Sequence, residues 1–160
     1  MNKALFLDRD GVINRERGEY TFRVEDFDIL PSVFDTLKTA QDLGYKLIII
    51  TNQGGIAKGL YTHQDVQKAH QYLANELAQH KIQLTDIFYS PHHQDFSKSL
   101  DRKPDSLMLE KAMAIYKIDA SKSIMIGDSQ RDIEASSKVG VQGFLIKPNS
   151  SISFIKEHLK

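Results

Sequence analysis

Five short apolar runs alternate with segments of helical periodicity along this chain of 160 residues, and that alternation limits the possible folds more than any other feature. The runs occupy residues 4–7, 47–50, 87–89, 124–126 and 144–146. Runs this short, apolar on both faces and rich in β-branched or aromatic residues, are typical of buried parallel strands. The alternation predicts an α/β fold, a three-layer doubly wound (Rossmann-like) domain with a central parallel sheet, over residues 1–160.

The segments between the runs predict five helices. Pro31 suits the first turn of the first helix, and Thr62 begins a capping-box sequence at the start of the second. Pro104 is expected to begin the third helix, which carries apolar residues at helical spacing. The fourth helix is expected over about residues 132–139 and the fifth over residues 152–159.

Composition argues against several classes of protein. The hydrophobic fraction of 41% and the charged fraction of 26% are ordinary for a globular chain and argue against disorder. Lysine plus arginine equals aspartate plus glutamate at 21 each, and this net charge of zero argues against nucleic acid or an anionic membrane as the main partner. The absence of cysteine excludes disulfides, thiolate nucleophiles and cysteine-based zinc sites.

Neither a signal peptide nor a membrane-spanning segment is expected. The start of the chain has one lysine and a short apolar stretch that charged residues interrupt. No apolar run approaches the roughly 20 residues that a membrane span needs. We therefore expect a cytoplasmic protein, and we expect a monomer because no unmatched apolar helix face stands out.

Polar residues follow three of the apolar runs and are candidates for a site. Asp8, Thr51 and Asp128 lie where predicted strands end. In doubly wound sheets, ligands bind at the carboxyl ends of the strands. The histidines at positions 63, 70, 80 and 158 are assigned to the surface or to helix faces, whereas His92 and His93 lie in a loop beside the proposed site.

Asp8 and Asp10 form a D-x-D pair directly after the first run. Roughly one such pair is expected by chance in this composition, and a second pair, Asp26 and Asp28, is assigned to a loop or the surface. The first pair differs because it follows a buried strand and precedes Gly11, which permits a tight turn. Two carboxylates held this close repel each other unless a cation lies between them, and Mg²⁺ is the expected ion.

Residues 51–59 combine a hydroxyl, amides and glycines, which suit contacts to phosphate oxygens. Asn52, Gln53 and Gly54 are therefore candidate substrate-binding residues. The alternative is a flexible loop between a strand and a helix. The stretch is not a P-loop, because no Lys-Ser/Thr follows its last glycine.

Two further charged segments complete the candidate site. Arg102 and Lys103 are expected to bring positive charge into a phosphate site, and the alternative is a solvated basic pair before a helix. Asp128 and Asp132 lie one helical turn apart. Asp128 could join the metal ligands, and Asp132 could hold Asp128 or a neighbouring base in place without binding the metal itself. The alternative for this pair is a helix N-cap and a first-turn acid without further function.

These ordered motifs resemble the haloacid dehalogenase (HAD) superfamily of phosphohydrolases. The motifs are D-x-D-G-V at residues 8–12, T-N-Q at 51–53, R-K-P at 102–104 and G-D-S-x-x-D at 127–132. The closer similarity is to the D-glycero-D-manno-heptose 1,7-bisphosphate 7-phosphatases of surface-polysaccharide precursor synthesis, with the histidinol-phosphate phosphatases as near relatives. The resemblance covers residues 3 to about 147 and implies a HAD-like fold without a large cap domain.

The resemblance implies a role for each matching residue in the reaction. Asp8 is then the nucleophile that forms an aspartyl-phosphate, and Asp10 is the general acid and base. The implied Mg²⁺ ligands are Asp8, the backbone carbonyl of Asp10, and Asp128. Thr51 and Lys103 then hold the oxygens of the transferring phosphoryl group.

The resemblance also implies contacts to the rest of a small sugar-phosphate substrate. Arg102 resembles the residue that contacts the remainder of the substrate, including its second phosphate. Glu16 and Gly18 fall where relatives contact the sugar, although residues 16–19 match only loosely.

Two departures from the family pattern concern this site. Most relatives carry a zinc-binding loop that reads C-x-H and then C-x-C before R-K-P, whereas the corresponding residues here are Ser90, His92, Ser99 and Asp101. Every thiolate is replaced, so no structural zinc is expected. The heptose phosphatases also often have a lysine after the fourth-motif aspartate, where this chain has Ser129.

Three alternatives to a heptose bisphosphate phosphatase remain open. Histidinol-phosphate phosphatases share the chemistry, but their first motif more often reads D-G-T than D-G-V. Nucleic-acid 3′-phosphatase domains also carry T-N-Q-x-G-I, and the net charge of zero counts against one. A catalytically silent phosphate-binding module is the alternative of another class, and the presence of every expected catalytic group counts against it.

Overall fold

The computed structural model describes residues 1–160 and contains one five-stranded sheet in which all neighbouring strands are parallel. The strands are β1 (Lys3–Leu7), β2 (Tyr45–Asn52), β3 (Asp86–Ser90), β4 (Ile124–Gly127) and β5 (Gln142–Leu145). Their order across the sheet is β3-β2-β1-β4-β5, so the chain builds first one half of the sheet and then the other. The predicted doubly wound α/β fold is confirmed.

Four α-helices and three short 3₁₀ segments connect the strands. The α-helices are α1 (Ser32–Asp42), α2 (His63–Gln79), α3 (Leu107–Tyr116) and α4 (Gln130–Lys138), and the 3₁₀ segments are Val24–Asp26, Ala120–Lys122 and Ser153–His158. The capping box predicted for α2 is present, because Thr62 and Asp65 exchange side-chain to backbone hydrogen bonds. None of these helices combines the length and the apolar composition needed to cross a membrane.

The sheet is covered on both faces, which produces the three layers. One face packs against α1 and α2 in a core of 20 buried residues, to which β1 contributes Leu5 and Leu7. The other face packs against α3 and α4 in a core of 11 buried residues, to which β1 contributes Ala4 and Phe6. Successive side chains of a strand point to opposite faces, so a central strand must be apolar throughout. This requirement explains the uninterrupted apolar runs of β1 and β2.

Three expectations about the helices are wrong. The fifth helix is only the 3₁₀ segment Ser153–His158, whose one buried residue is Ile155. Pro104 does not begin the third helix, since residues 100–105 form turns and α3 begins at Leu107. α4 begins two residues early, at Gln130, because a capping box at its N-terminus starts the helix there.

The carboxyl ends of β1, β2 and β4 meet at one edge of the sheet. The Asp8 N–H donates to the Ile126 carbonyl at 3.0 Å, which extends the pairing of β1 and β4 by one residue. Asp8 and Asp128 therefore leave the sheet at this common edge, and Thr51 lies beside them as the second-last residue of β2. The chain between β1 and α1 forms only a short flap, residues 16–22, and one 3₁₀ turn, so no cap domain is inserted over the edge.

Arg9 is fully buried beneath this edge. Its guanidinium donates to the Asp10 carboxylate at 2.9 Å, to the Thr21 carbonyl at 2.7 Å and to Nε2 of His70 at 3.3 Å. His70 lies on a helix face, which is one of the two expected places, but this face is the inner, buried one of α2, so the surface alternative is wrong. Burial and the charge of Arg9 lower the pKa of His70 to about 3, so the ring is neutral at physiological pH.

The buried His70 predicts a loss of stability below pH 6.5. As the pH falls, the unfolded chain takes up a proton near pH 6.5, whereas the folded ring resists protonation until about pH 3. His70→Gln cannot titrate, so we expect it to lose about 2 kcal/mol less unfolding free energy than the wild type between pH 7 and pH 5. Urea denaturation at the two pH values measures this difference.

The matched control is His158→Gln, because His158 is exposed. This variant should lose as much stability on acidification as the wild type. Equal losses in His70→Gln and the wild type would show that the folded His70 ring takes up its proton as readily as the unfolded one.

Candidate active site

An open cavity of about 570 Å³ lies at the carboxyl edge of the sheet. Seventeen residues line it and only one of them is hydrophobic, so the cavity suits a polar ligand. Most residues predicted for the site line this cavity: Asp8, Asp10, Glu16, Gly18, Asn52, Gln53, Gly54, Arg102, Lys103 and Asp128. The fold thus brings together four segments that are far apart in the sequence.

Thr51 is the predicted site residue that does not line the cavity. It is fully buried, and its hydroxyl accepts a hydrogen bond from Nε2 of Gln53 at 3.0 Å. The same Nε2 donates to Asp10 at 3.1 Å, so Thr51 helps to orient Gln53 towards Asp10. A contact between Thr51 and phosphoryl oxygens stays a prediction.

Asp8, Asp128 and Asp132 form a cluster of carboxylates beside the buried Lys103. One ligand oxygen from each carboxylate lies within 4.8 Å of the others. Nζ of Lys103 donates to Asp8 at 2.9 Å, to Asp132, and to the carbonyl of Ile50 at 2.7 Å, so all three of its N–H groups have partners. Lys103 is only 3% exposed, and the alternative of a solvated basic pair is therefore wrong for this residue.

The carboxylates of this cluster outnumber its ammonium group. Burial lowers the pKa of Lys103, but the charges of Asp8 and Asp132 outweigh burial and raise it. Burial and the charge of Asp132 raise the pKa of Asp8 well above its usual value, and burial also raises the pKa of Asp128. Asp8 and Asp132 share the one ammonium group, and Asp128 has no ion pair, so the three carboxylates lack a full counter-charge. A divalent cation with oxygen ligands, such as Mg²⁺, fits this deficit.

Two glycines allow the carboxylates to approach so closely. Gly11 has a φ of +86°, and a Cβ at this position would lie 2.0 Å from Oδ2 of Asp128. A Cβ at Gly127 would lie 2.2 Å from the Cβ of Asp132. Any side chain at either position would displace a carboxylate, so the acidic cluster depends on both glycines.

Three donors hold Asp10 in a fixed orientation. Arg9 and Asn14 donate to its Oδ1 at 2.9 Å and 3.0 Å, and Gln53 donates to its Oδ2 at 3.1 Å. Burial by itself raises the pKa of Asp10, but the charge and hydrogen bond of Arg9, with the hydrogen bonds of Asn14 and Gln53, outweigh burial and lower it. Asp10 is therefore an ionised, oriented carboxylate that can exchange protons with a bound group.

Two arginines add positive charge to the cavity wall. Arg102 and Arg131 both line the cavity, and neither forms an ion pair. Burial lowers the pKa of Arg102, and the charge of Arg131 lowers it further. Two unpaired guanidinium groups in one cavity suit an anionic ligand. Sequence reasoning missed Arg131, although its place in the first turn after Asp128 was a signal that could have identified it.

The flap, residues 16–22, forms another wall and is held at both ends. The Glu16 N–H donates to Oδ1 of Asn149 at 2.6 Å, and Oε1 of Glu16 accepts the Gly18 N–H at 2.9 Å. Phe22 stacks on Tyr61 with 4.9 Å between the ring centroids. Glu19, from the segment 16–19 that was expected near the sugar, also lines the cavity, together with two flap residues that were not predicted for the site, Tyr20 and Thr21.

Known proteins share this sequence pattern and fold. The model of the haloacid dehalogenase-like hydrolase family matches residues 8–146. A D-glycero-alpha-D-manno-heptose-1,7-bisphosphate 7-phosphatase of Photorhabdus laumondii subsp. laumondii is 41% identical over 152 residues, covering 91% of this chain and 82% of the relative. A D-glycero-beta-D-manno-heptose-1,7-bisphosphate 7-phosphatase of Haemophilus influenzae is 38% identical over 140 residues, covering 84% of this chain and 76% of the relative.

A solved structure agrees over nearly the whole length. The D,D-heptose 1,7-bisphosphate phosphatase from B. bronchiseptica, complexed with magnesium and phosphate, superposes with a TM-score of 0.86 at 26% identity. The match covers 99% of this chain and 88% of that one. The resemblance inferred from the ordered motifs is confirmed. This chain belongs to the haloacid dehalogenase-like hydrolases and, with the relatives named here, to the phosphatases of that family.

Proposed function

We propose that this chain hydrolyses the 7-phosphate of D-glycero-D-manno-heptose 1,7-bisphosphate, with Mg²⁺ as cofactor and an aspartyl-phosphate on Asp8 as the intermediate. The observation that carries the proposal is the charge in the cavity, where Asp8 and Asp10 accompany the unpaired Arg102 and Arg131. A fitting substrate presents one phosphate to the carboxylates and a second anionic group to the arginines. The relatives at 41% and 38% identity support this substrate.

Asp8 is oriented to attack the phosphorus atom. Its Oδ1 accepts the Arg9 N–H and the Lys103 ammonium, each at 2.9 Å, which leaves Oδ2 without a protein donor. Attack by a carboxylate oxygen forms the bond between Asp8 and phosphorus and breaks the bond to the ester oxygen. A phosphate bound beside Asp10 raises the pKa of that carboxyl by repulsion, so Asp10 can hold the proton that the leaving oxygen takes.

The second half of the reaction uses Asp10 in its ionised form. After the sugar leaves with the proton, the hydrogen bonds from Arg9, Asn14 and Gln53 favour the Asp10 carboxylate. This carboxylate takes a proton from a water molecule, which attacks the phosphorus atom of the aspartyl-phosphate. The attack breaks the bond to Asp8, releases inorganic phosphate and restores the free enzyme.

Positive charge reduces the repulsion between the nucleophile and the phosphate. Mg²⁺ held by Asp8, Asp128 and the backbone carbonyl of Asp10 would screen both groups. Lys103 supplies a fixed positive charge at the same place, and Asn52 holds its backbone through hydrogen bonds of 3.0 Å and 3.1 Å. In this proposal Lys103 exchanges one of its protein partners for a phosphoryl oxygen when substrate binds.

The far side of the substrate would meet the flap and the two arginines. Glu16 and Gly18 line the cavity and would contact sugar hydroxyl groups. Arg102 and Arg131 would bind the second phosphate as paired guanidinium groups do. Histidinol phosphate has no second phosphate and carries a cationic amine, which two arginines repel. The charge in the cavity therefore favours the bisphosphate.

The nucleophilic role of Asp8 can be tested by substitution. Asp8→Asn keeps the size of the side chain but removes its nucleophilic charge, and we expect phosphate release to fall by at least about 10³-fold. A colorimetric phosphate assay measures the loss, and circular dichroism verifies that the variant folds. Asp28→Asn, a matched change at an exposed ion pair with Arg15, should retain activity. Wild-type rates in a folded Asp8→Asn would sink the assignment.

The choice of substrate can be tested by comparing two phosphate esters. We expect kcat/KM for heptose 1,7-bisphosphate to exceed that for histidinol phosphate by at least about 100-fold under identical Mg²⁺ conditions. Both anomers of the bisphosphate are assayed, because the relatives' names differ in the anomer. A preference for histidinol phosphate would overturn the proposed substrate, and release from neither compound would overturn it too.

The role of Arg131 in binding the second phosphate can be tested separately. Arg131→Gln removes one guanidinium group from the proposed second-phosphate contact, so we expect KM for the bisphosphate to rise about tenfold. The kcat/KM for p-nitrophenyl phosphate, which has a single phosphate, should change less than about twofold. Lys68→Gln on α2, an exposed cation outside the cavity lining, is the matched control. Equal losses with both substrates would assign Arg131 to the reacting phosphate instead.

A further inference from the structure

We propose that Asp101 is a positioning residue that holds the loop of residues 91–101 to the sheet by hydrogen bonds, in place of a bound metal ion, and so places Arg102 in the cavity wall. Oδ1 of Asp101 accepts hydrogen bonds from the hydroxyls of Ser90 at 2.7 Å and Ser99 at 2.6 Å. The Ser90 hydroxyl in turn accepts the His92 N–H at 3.4 Å. Of the four positions that correspond to the zinc ligands in the family pattern, Ser90 and Ser99 thus both donate to the carboxylate at the fourth, Asp101.

The residues at these positions do not fit a structural zinc ion. Such sites use four ligands, which are almost always thiolates and imidazoles. Ser90 and Ser99 offer neutral hydroxyls, and both donate their protons to Asp101. His92 lies 3.9 Å from Oδ2 of Asp101 and is half-exposed, so only one imidazole and one carboxylate remain as conventional ligands. The carboxylate acts here as an acceptor of hydrogen bonds, a use in which it needs no metal.

The hydrogen bonds of Asp101 join the loop to a rigid part of the fold. Ser90 is fully buried and is the last residue of β3, where it pairs with Asn52 of β2. The Gln53 N–H donates to the Ser90 carbonyl at 2.7 Å, which further fixes this residue. Between Pro91 and Asp101 the chain has no helix or strand. Asp101 therefore ties the C-terminal end of the loop to β3, just before Lys103 is held to β2 by Asn52.

Fixing Asp101 also fixes the residue that follows it. Nη1 of Arg102 donates to the carbonyl of His92 at 2.9 Å, so the guanidinium group bridges the two limbs of the loop. A Cβ on Gly54 would lie 3.1 Å from this Nη1, which shows how closely Arg102 approaches the phosphate-binding segment. The contribution of Asp101 to substrate binding rests on the proposed function, whereas its contribution to the order of the loop does not.

The first experiment measures how often the loop opens. Lys98 is exposed within the loop, so trypsin can cleave there when the chain moves away from the sheet. We expect Asp101→Ala to be cut after Lys98 at least about fivefold faster than the wild type, as followed by mass spectrometry. Asp101→Asn keeps the Oδ1 acceptor and should be cut within about twofold of the wild-type rate.

Serine variants provide a matched pair of controls. Ser99→Ala removes one donor to Asp101 and should accelerate cleavage, whereas the Ser97 hydroxyl makes no hydrogen bond with Asp101 and Ser97→Ala should not. Equal cleavage rates in Asp101→Ala, Ser99→Ala and the wild type would overturn the proposal. One zinc ion per chain in protein purified without chelator, measured by elemental analysis, would overturn it as well.

The second experiment separates positioning from a general loss of structure. We expect Asp101→Ala to raise KM for heptose 1,7-bisphosphate about tenfold, while kcat for p-nitrophenyl phosphate changes less than about twofold. Asp101→Asn should restore the wild-type KM. An unchanged KM in Asp101→Ala would overturn the link to Arg102. Absence of phosphate release from every compound would overturn the proposed function, and the cleavage rates would still decide the role of Asp101.

Discussion

The buried ammonium group of Lys103 is the interaction on which the rest of the site depends. It joins Asp8 at the end of β1, Asp132 on α4 and the carbonyl of Ile50 on β2. An unpaired charge at this depth costs several kcal/mol, so the ammonium group and the carboxylates require one another. Because the partners belong to three different elements, the same ion pairs fix where the N-terminus of α4 lies on the sheet and place Asp128 beside Asp8.

A second layer of polar side chains keeps the reacting groups in position. The Tyr61 hydroxyl donates to Oε1 of Gln53 at 2.8 Å, and Gln53 donates in turn to Asp10 and Thr51. A Cβ on Gly55 would lie 2.1 Å from the Tyr61 ring, so the glycine is what lets this ring reach Gln53. Arg9 supports Asp10 from the other side and also binds the flap. The orientation of Asp10 therefore depends on residues that a substrate never touches.

The loop that carries Arg102 is held at the cavity wall by hydrogen bonds to a carboxylate. Arg102 needs a loop whose two limbs keep a constant separation at the end of β3. Here the hydroxyls of Ser90 and Ser99 meet the Asp101 carboxylate at that point. Ser90 is the last residue of β3 and is fully buried, so these hydrogen bonds connect the loop to a part of the chain that the sheet already fixes.

The strands, the doubly wound fold and most of the cavity lining could be predicted from the sequence, because these follow from local patterns. Apolar runs mark strands buried on both faces, and the polar residues at their ends, such as Asp8, must emerge at one edge. The ion-pair and hydrogen-bond partners of these side chains could not be predicted, because they depend on how the helices pack on the sheet. Lys103 pairs with Asp132, 29 residues away, because α4 docks there. His70 likewise faces Arg9, 61 residues away, because of how α2 packs on the sheet, and a single sequence carries no local signal for such a neighbour.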